Sequence, residues 1–236
     1  MSMHFFIKNI FKRVLFASII GGVFSVTLTG PIAAQEHGHD PQLNQTSLPA
    51  ISGTFSDYIP YSQFNNYQYS GFGNNYESQY TILEYTPDEN GLFQVAILMN
   101  DQAMAYVYQQ RSNGLYELGH VENYGEVQDL RYSNLVNSGQ ESLILSSNMT
   151  VGYQYYSGYH NEYLRTVKTI LPTYEKNGVI YQEVVAIEET GYADGSATWY
   201  YLAPKYGIIC IERVDSQGNS IAETSLYEVY NDVYAP

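Results

Sequence analysis

The chain has 236 residues, of which 24 are acidic and ten are Lys or Arg, so its formal net charge is −14. This balance excludes nucleic acid as a partner and disfavours anionic lipid surfaces, because phosphate binding depends on clusters of Lys and Arg. The single cysteine, Cys210 in "GIICIER", excludes an internal disulfide. Its isoleucine neighbours predict a small buried side chain rather than a reactive thiol.

The first 34 residues have the pattern of a secretory signal peptide. Lys8, Lys12 and Arg13 precede an apolar run over Val14–Leu28, and Ala34 offers a small residue for cleavage. The run has about fifteen residues, fewer than the ~20 that span a bilayer, although a retained anchor is the alternative. Cleavage there leaves seven Lys and Arg against 24 acidic residues, a net charge of −17. We therefore expect a secreted or cell-envelope-associated protein with no membrane span after cleavage.

Residues 35–52 have no periodicity and few bulky apolar side chains, which predicts a flexible lead into the domain. With a free amine at Gln35, His37 could take part in square-planar Cu²⁺ or Ni²⁺ chelation. A tail of this composition usually has no such role. We expect neither a metal site nor a cofactor.

From residue 53 onward, short runs rich in Tyr, Val, Ile and Thr alternate with turn signals such as Asn177-Gly178. This pattern predicts one all-β domain over residues 53–234, an antiparallel meander with at most one short helix. Only Gly125–Val136 looks weakly helical. The clearest predicted strands are Tyr80–Tyr85, Phe93–Met99, Ala105–Gln110, Leu115–Val121, Arg165–Leu171, Val179–Ile187, Thr198–Leu202, Ile208–Val214 and Ala222–Tyr230.

Two similar phrases indicate an internal duplication. "YQYSGFGNNY" begins at Tyr67, and "YQYYSGYHNEY" begins at Tyr153. Further matches follow at nearly the same offset, among them "TIL" at Thr81 and again at Thr169, and "AYVYQQRSNGLYEL" beside "TWYYLAPKYGIICI". We expect two related halves, about residues 55–121 and 148–230. Together they would form either a half-barrel or open barrel, or two packed sheets.

Aromatic residues at alternate positions mark the candidate binding face. Strand side chains alternate between faces, so each such pair lies on one side of its strand. The pairs are Tyr67 with Tyr69, Tyr106 with Tyr108, Tyr153 with Tyr155, and Trp199 with Tyr201. On a concave face they would form a groove for a glycan, a peptide or an amphipathic ligand. The alternative is that they fill the core as cross-strand pairs.

Catalytic signatures are absent from the sequence. It contains no H-E-x-x-H, no G-x-S-x-G and no phosphate-binding glycine loop. His120 is better explained as a packed histidine, and acids such as Glu77 and Glu162 as a solvated face. Two carboxylates could still cleave a glycosidic bond. An envelope hydrolase therefore stays as the second hypothesis, and a purely structural domain as the third.

Several segments resemble a loose group of uncharacterised exported proteins from Gram-positive bacteria. The resemblance rests on Tyr58-Ile59-Pro60, on Gly73-Asn74-Asn75-Tyr76, and on the Tyr-Tyr-x-Ala-Pro-x-x-Gly segment that begins at Tyr200. It implies a curved antiparallel β domain at the cell envelope and carries no agreed activity. This chain lacks the lipid-attachment cysteine of many members. Our leading hypothesis is a non-enzymatic β domain that binds a ligand or partner at the bacterial cell surface; its oligomeric state is unknown.

Overall fold

Alternating apolar and polar residues, interrupted by glycine and asparagine turns, form twelve β-strands in the computed structural model. The structure describes residues 50–73, 76–100 and 102–231. The predicted signal peptide, residues 35–49 of the lead, His37 and His39 lie outside these residues. All described residues belong to one unit, Thr46–Pro236. Within them, no helix is long and apolar enough to cross a membrane.

Two short 3-10 helices accompany the strands, at Phe55–Tyr58 and Val136–Ser138. The first six strands are β1 (Asn66–Phe72), β2 (Gln79–Tyr85), β3 (Leu92–Met99), β4 (Gln102–Arg111), β5 (Gly114–Glu122) and β6 (Ser142–Ser146). The last six strands are β7 (Gln154–Ser157), β8 (Tyr163–Lys176), β9 (Val179–Thr190), β10 (Ala197–Ala203), β11 (Gly207–Val214) and β12 (Ser220–Tyr230).

All twelve strands belong to a single antiparallel sheet that curls into a nearly closed barrel. Its order is β6-β5-β4-β3-β2-β1-β12-β11-β10-β9-β8-β7, and every hydrogen-bonded pair is antiparallel. The all-β fold class is therefore confirmed, and the open barrel is the arrangement adopted. The phrases "YQYSGFGNNY" and "YQYYSGYHNEY" begin in and just before β1 and β7, six strands apart. The duplication itself stays a prediction.

The two edge strands, β6 and β7, meet along a seam that side chains bridge. The Gly158 backbone N–H donates to the Ser142 hydroxyl at 2.8 Å, and the Ser142 and Ser157 hydroxyl oxygens lie 3.5 Å apart. The Tyr155 hydroxyl lies 3.5 Å from the Ile144 carbonyl oxygen. These bonds satisfy polar groups at two edges that would otherwise attract another strand.

The interior of the barrel is filled partly by residues 58–61, which we call the interior segment. Tyr58 and Ile59 are 0% and 1% exposed, and Pro60 and Tyr61 are also buried. The Tyr58 hydroxyl donates to the carbonyl of Glu183 at 2.9 Å. The interior segment therefore belongs to the main hydrophobic core rather than to the lead.

A second apolar cluster lies on the outer face of β3, β4 and β5, beneath the connection between β5 and β6. Buried Gln94 holds that connection: it donates to the Gln128 carbonyl at 2.9 Å and accepts from the Leu130 N–H at 2.8 Å. The weak helical pattern over Gly125–Val136 does not produce an α-helix; apart from Val136, which begins the second 3-10 helix, these residues adopt turns and irregular structure. The Gln94 side chain satisfies two of the backbone groups that a helix would have paired, the Gln128 carbonyl and the Leu130 N–H.

Candidate functional site

Four of the eight predicted binding residues lie buried on the inner side of the sheet. Tyr67, Tyr69, Tyr108 and Tyr155 are all 7% exposed or less. The ring of Tyr61, in the interior segment, lies 5.5 to 6.5 Å from the rings of the first three. In this structure these tyrosines pack in the core, the alternative that the sequence left open, and their role in binding stays a prediction.

Tyr106 and Tyr153 occupy intermediate positions. Tyr106 is half-buried and stacks on Tyr108, with ring centroids 6.1 Å apart. Tyr153 is 38% exposed and lies 6.3 Å from the Tyr155 ring, just before β7. Neither residue borders a described cleft.

Trp199 and Tyr201 face outward from the barrel, unlike Tyr106 and Tyr108. Their neighbour Tyr200 lines a small interior cavity of about 20 Å³ beside Pro60, and successive strand residues point to opposite faces. In the alignment of the two similar segments, Trp199 corresponds to Tyr106 and Tyr201 corresponds to Tyr108. The two predicted halves would therefore present these matched aromatic pairs on opposite faces of the sheet.

Tyr174 extends the outward pair into a row of three stacked rings. The Tyr201 ring lies 6.3 Å from that of Trp199 and 4.8 Å from that of Tyr174, with interplanar angles of 21° and 13°. Tyr174 belongs to the long β8–β9 hairpin, whose tip folds over β12: the Asn177 amide donates to the Leu226 carbonyl at 2.8 Å. We call Trp199, Tyr201 and Tyr174 the aromatic ladder.

Cys210 lies beneath the ladder and is fully buried. The Tyr174 phenol lies close to its sulfur. Burial and the nearby Glu223 carboxylate raise the pKa of Cys210 to about 12. The thiol is therefore a packed, protonated side chain, as its isoleucine neighbours indicated.

A cleft of about 570 Å³ adjoins the Trp199 end of the ladder. Two turns flank it, one between β9 and β10 and one between β11 and β12. Its lining combines one indole with carboxylates, hydroxyls and glycines: Glu188, Thr190, Gly191, Tyr192, Gly195, Ser196, Ala197, Trp199, Val214, Asp215, Ser216 and Gly218. An aromatic platform with a few polar groups is the usual make-up of a ligand site.

Two carboxylates that line this cleft, Asp215 and Glu188, both accept hydrogen bonds from neighbouring side chains. Asp215 accepts bonds from the side chain and backbone of Asn219, which lower its pKa. Glu188 accepts from the Lys168 ammonium at 2.9 Å. A glycosidase general acid requires a raised pKa. Asp215 lacks that property.

His120 and Glu162 both take part in local hydrogen bonds. The His120 imidazole lies 3.0 Å from the Glu117 carboxylate, to which the Tyr159 hydroxyl donates at 2.5 Å. Glu162 accepts from the His160 backbone N–H at 2.8 Å, within its own turn. Among the residues that the structure describes, no three His, Cys, Asp or Glu side chains converge as a metal site would require.

Tyr174 and Glu188 were not among the residues that the sequence pointed to. Tyr174 lies near the turn of a hairpin and reaches Tyr201 across an intervening strand, so no local spacing relates the two. Glu188 borders the cleft only because β9 pairs with β10 in a particular register. Both positions depend on strand pairing, which alternation alone does not predict.

No protein-family model matches this chain, and no match was found among curated proteins. A Bacteroides fragilis protein described as exported, with a YmcC-like fold, is similar at 11% identity and a TM-score of 0.39, over 74% of this chain and 99% of its own. MucB, in its complex with MucA, is similar at 9% identity and a TM-score of 0.36, over 72% and 51%. A Parabacteroides distasonis protein described as a lipoprotein is similar at 7% identity and a TM-score of 0.33, over 73% and 97%. None of the three identifies a family or an activity for this chain.

Proposed function

We propose that this protein is an exported, non-enzymatic β domain that binds a ligand at the bacterial cell envelope through the aromatic ladder and its cleft. The observation that carries the proposal is the stack of Trp199, Tyr201 and Tyr174 beside the 570 Å³ cleft. Stacked rings on an accessible face favour flat or ring-shaped groups. The ligand would be a glycan, a peptide or an amphipathic molecule.

Two sequence features support the envelope location. The pattern of residues 1–34 is that of an export signal. The resemblance to exported proteins of Gram-positive bacteria points the same way. Of the eight residues first expected to bind, the proposal relies on Trp199 and Tyr201. A ligand would reach the buried Tyr67, Tyr69 or Tyr108 only after the interior segment moved.

The proposal can be tested with soluble muropeptides, which carry both glycan and peptide. Trp199 is the chain's single tryptophan, so its fluorescence reports directly on this surface. We expect muropeptides to shift its emission and to release or absorb heat in calorimetry. Trp199→Leu should abolish the calorimetric signal.

Tyr227→Leu supplies the control, because Tyr227 is 66% exposed and lies outside both ladder and cleft. It should leave binding unchanged. Equal binding by the wild-type and Trp199→Leu proteins, or no binding by either, would overturn the proposal. Release of reducing ends from the muropeptides would instead favour the hydrolase hypothesis.

A further inference from the structure

Trp199 stands between two glutamates in direct cross-strand register. On β10 it pairs with Glu188 of β9 on one side and with Glu212 of β11 on the other. Glu212 in turn pairs with Glu223 of β12. Because paired residues share a face, all four side chains lie on the outer surface, in a row perpendicular to the strands. We call Trp199 and its three glutamates, Glu188, Glu212 and Glu223, the acidic row.

The spacing of this row suits a cation. Directly opposed residues in an antiparallel pair have Cβ atoms about 4.5–5.5 Å apart. A group resting on the indole is therefore within reach of a carboxylate on either side. The face of an indole ring attracts cations, most strongly among the aromatic side chains, and the flanking charges add to that attraction.

The chain's own lysines already occupy two positions of the row. The Lys168 ammonium lies 2.9 Å from a Glu188 oxygen, and the Lys176 ammonium lies 2.6 Å from a Glu223 oxygen. Both lysines come from β8: Lys168 contacts the adjacent strand β9, whereas Lys176 reaches β12 because the β8–β9 hairpin tip folds over that strand. These contacts show that carboxylates of this row receive ammonium groups in the folded protein.

Glu212 differs from Glu188 and Glu223, which are both paired with lysines. The Tyr201 hydroxyl lies close to Glu212, but within residues 50–73, 76–100 and 102–231 this glutamate forms no ion pair. Its negative charge therefore lies uncompensated beside the Trp199 ring. An anionic ligand would be repelled here, and a neutral ligand could donate hydrogen bonds to Glu212 but would lack the Coulomb attraction that a cation gains.

We propose that the ligand carries an organic cation, an alkylammonium group, which rests on Trp199 next to Glu212. This inference rests on the proposed function and names the chemical class of its ligand. The Trp199 ring contacts the alkyl groups of the cation, and Glu212 balances its charge. Glu188, already paired with Lys168, contributes less.

A pair of isosteric probes separates charge from shape. Choline carries a trimethylammonium group, and 3,3-dimethylbutan-1-ol carries the uncharged tert-butyl equivalent. We expect choline to change the Trp199 emission and to bind about five-fold or more tightly than the alcohol, with chloride held constant by NaCl. Raising the ionic strength should weaken choline binding.

Two charge-matched variants locate the effect. Glu212→Gln should weaken choline binding by about three-fold or more and leave the alcohol unaffected. Glu228→Gln removes an equal charge from an exposed position of β12 outside the row, and it should change neither. Equal affinities for the two probes, or equal losses in the two variants, would overturn the inference.

The outcomes for the two proposals are distinguishable. If muropeptides bind through Trp199 but choline and the alcohol bind equally, the binding function stands and the cation class is wrong. If choline is preferred but muropeptides do not bind, the cation site stands and the envelope ligand is wrong. If neither muropeptides nor choline bind, both proposals are wrong.

Discussion

Arg165 and Glu189 form an ion pair inside the barrel, with the Arg165 Nε 2.6 Å from a carboxylate oxygen and both side chains less than a tenth exposed. The guanidinium also donates to the Ile144 carbonyl of β6 and lies 4.3 Å from the centre of the Tyr200 ring. Glu189 accepts a further bond from the Tyr200 hydroxyl at 3.2 Å. The pair thus links β8 and β9 to β6, the edge strand across the seam from β7.

Arg165→Met should destabilise the fold by about 3–5 kcal/mol, because Glu189 would remain buried without its cation. Urea unfolding at neutral pH measures the loss. The double variant Arg165→Met, Glu189→Gln should lose less than the two single changes added together. Glu141→Gln breaks the exposed pair with Arg111 and should cost at most about 1 kcal/mol; an equal loss for Arg165→Met would contradict the prediction.

Gly207 allows the interior segment to approach the β10–β11 turn. Its φ is +66°, and an added Cβ would lie 2.5 Å from the Pro60 Cα. Gly178 also has a positive φ, +76°, but nothing within 4 Å of the added atom. Gly178→Ala should therefore cost about 1–2 kcal/mol from backbone strain alone, and Gly207→Ala about 1–3 kcal/mol more from overpacking.

Chemical denaturation of the two alanine variants measures this difference. The tryptophan emission of Gly207→Ala should also change, because displacing Pro60 disturbs the interior cavity that Tyr200 lines. Equal losses in the two variants would show that the interior segment is not packed against Gly207.

His120 should make stability depend on pH. Its hydrogen bond to Glu117 is the main reason that its pKa is raised; the Glu122 carboxylate adds to this, and burial opposes it. Because the pKa of His120 is raised in the folded state, protonation of the imidazole stabilises the fold. This stabilisation is fully present below the unfolded-state pKa of about 6.5, and it is lost as the pH rises through the folded-state pKa. The wild-type protein should therefore exceed His120→Gln in unfolding free energy by more at about pH 5 than at about pH 9.

Nuclear magnetic resonance of the imidazole protons follows this titration directly. Glu117→Gln should bring the pKa of His120 down towards its ordinary value. Because the Tyr159 hydroxyl also bonds Glu117, Tyr159→Phe serves as the matched variant that keeps the carboxylate. A His120 titration at or below about 6.5 in the wild-type protein would contradict the prediction.

Cys210 should react with thiol reagents only after the β8–β9 hairpin tip is loosened. The thiol is fully buried, and its pKa is raised to about 12. We expect negligible labelling by a disulfide reagent at neutral pH in the native protein and full labelling in denaturant. Tyr174→Ala removes the covering ring and should accelerate native labelling about ten-fold or more. Tyr227→Ala, which removes an exposed ring elsewhere, should not.

The fold was predictable from the sequence where strands are long and alternate regularly. The predicted strand at Phe93–Met99 lies within β3, and that at Val179–Ile187 lies within β9. The edge strands β6 and β7, of five and four residues, were not among the clearest predicted strands. Length was not the only factor, because the seven-residue strand β1 was also missed, whereas β2 and β10 of the same length were predicted.

The candidate site was predictable only in part. Alternation predicted that Trp199 and Tyr201 share one face of their strand and that Tyr106 and Tyr108 share one face of theirs. It did not predict which of these faces points into the barrel. The interior segment packs against the inner face of β4, where the Tyr61 ring lies 6.4 Å from that of Tyr108, and its sequence has no strand or helix period. The glutamates beside Trp199 follow from the register of three strands, a relationship between residues that no local pattern contains.

The pairing of β1 with β12 has a consequence for how the chain folds. Every other hydrogen-bonded pair joins strands consecutive in sequence, whereas this one joins Asn66 to Tyr230. Closing so long a loop costs more conformational entropy than forming any neighbouring hairpin, and such contacts slow folding. We expect the two six-stranded halves to form first and their junction to be the rate-limiting step. Substitutions at the β1–β12 border should then slow refolding more than equally destabilising changes in β3 or β9.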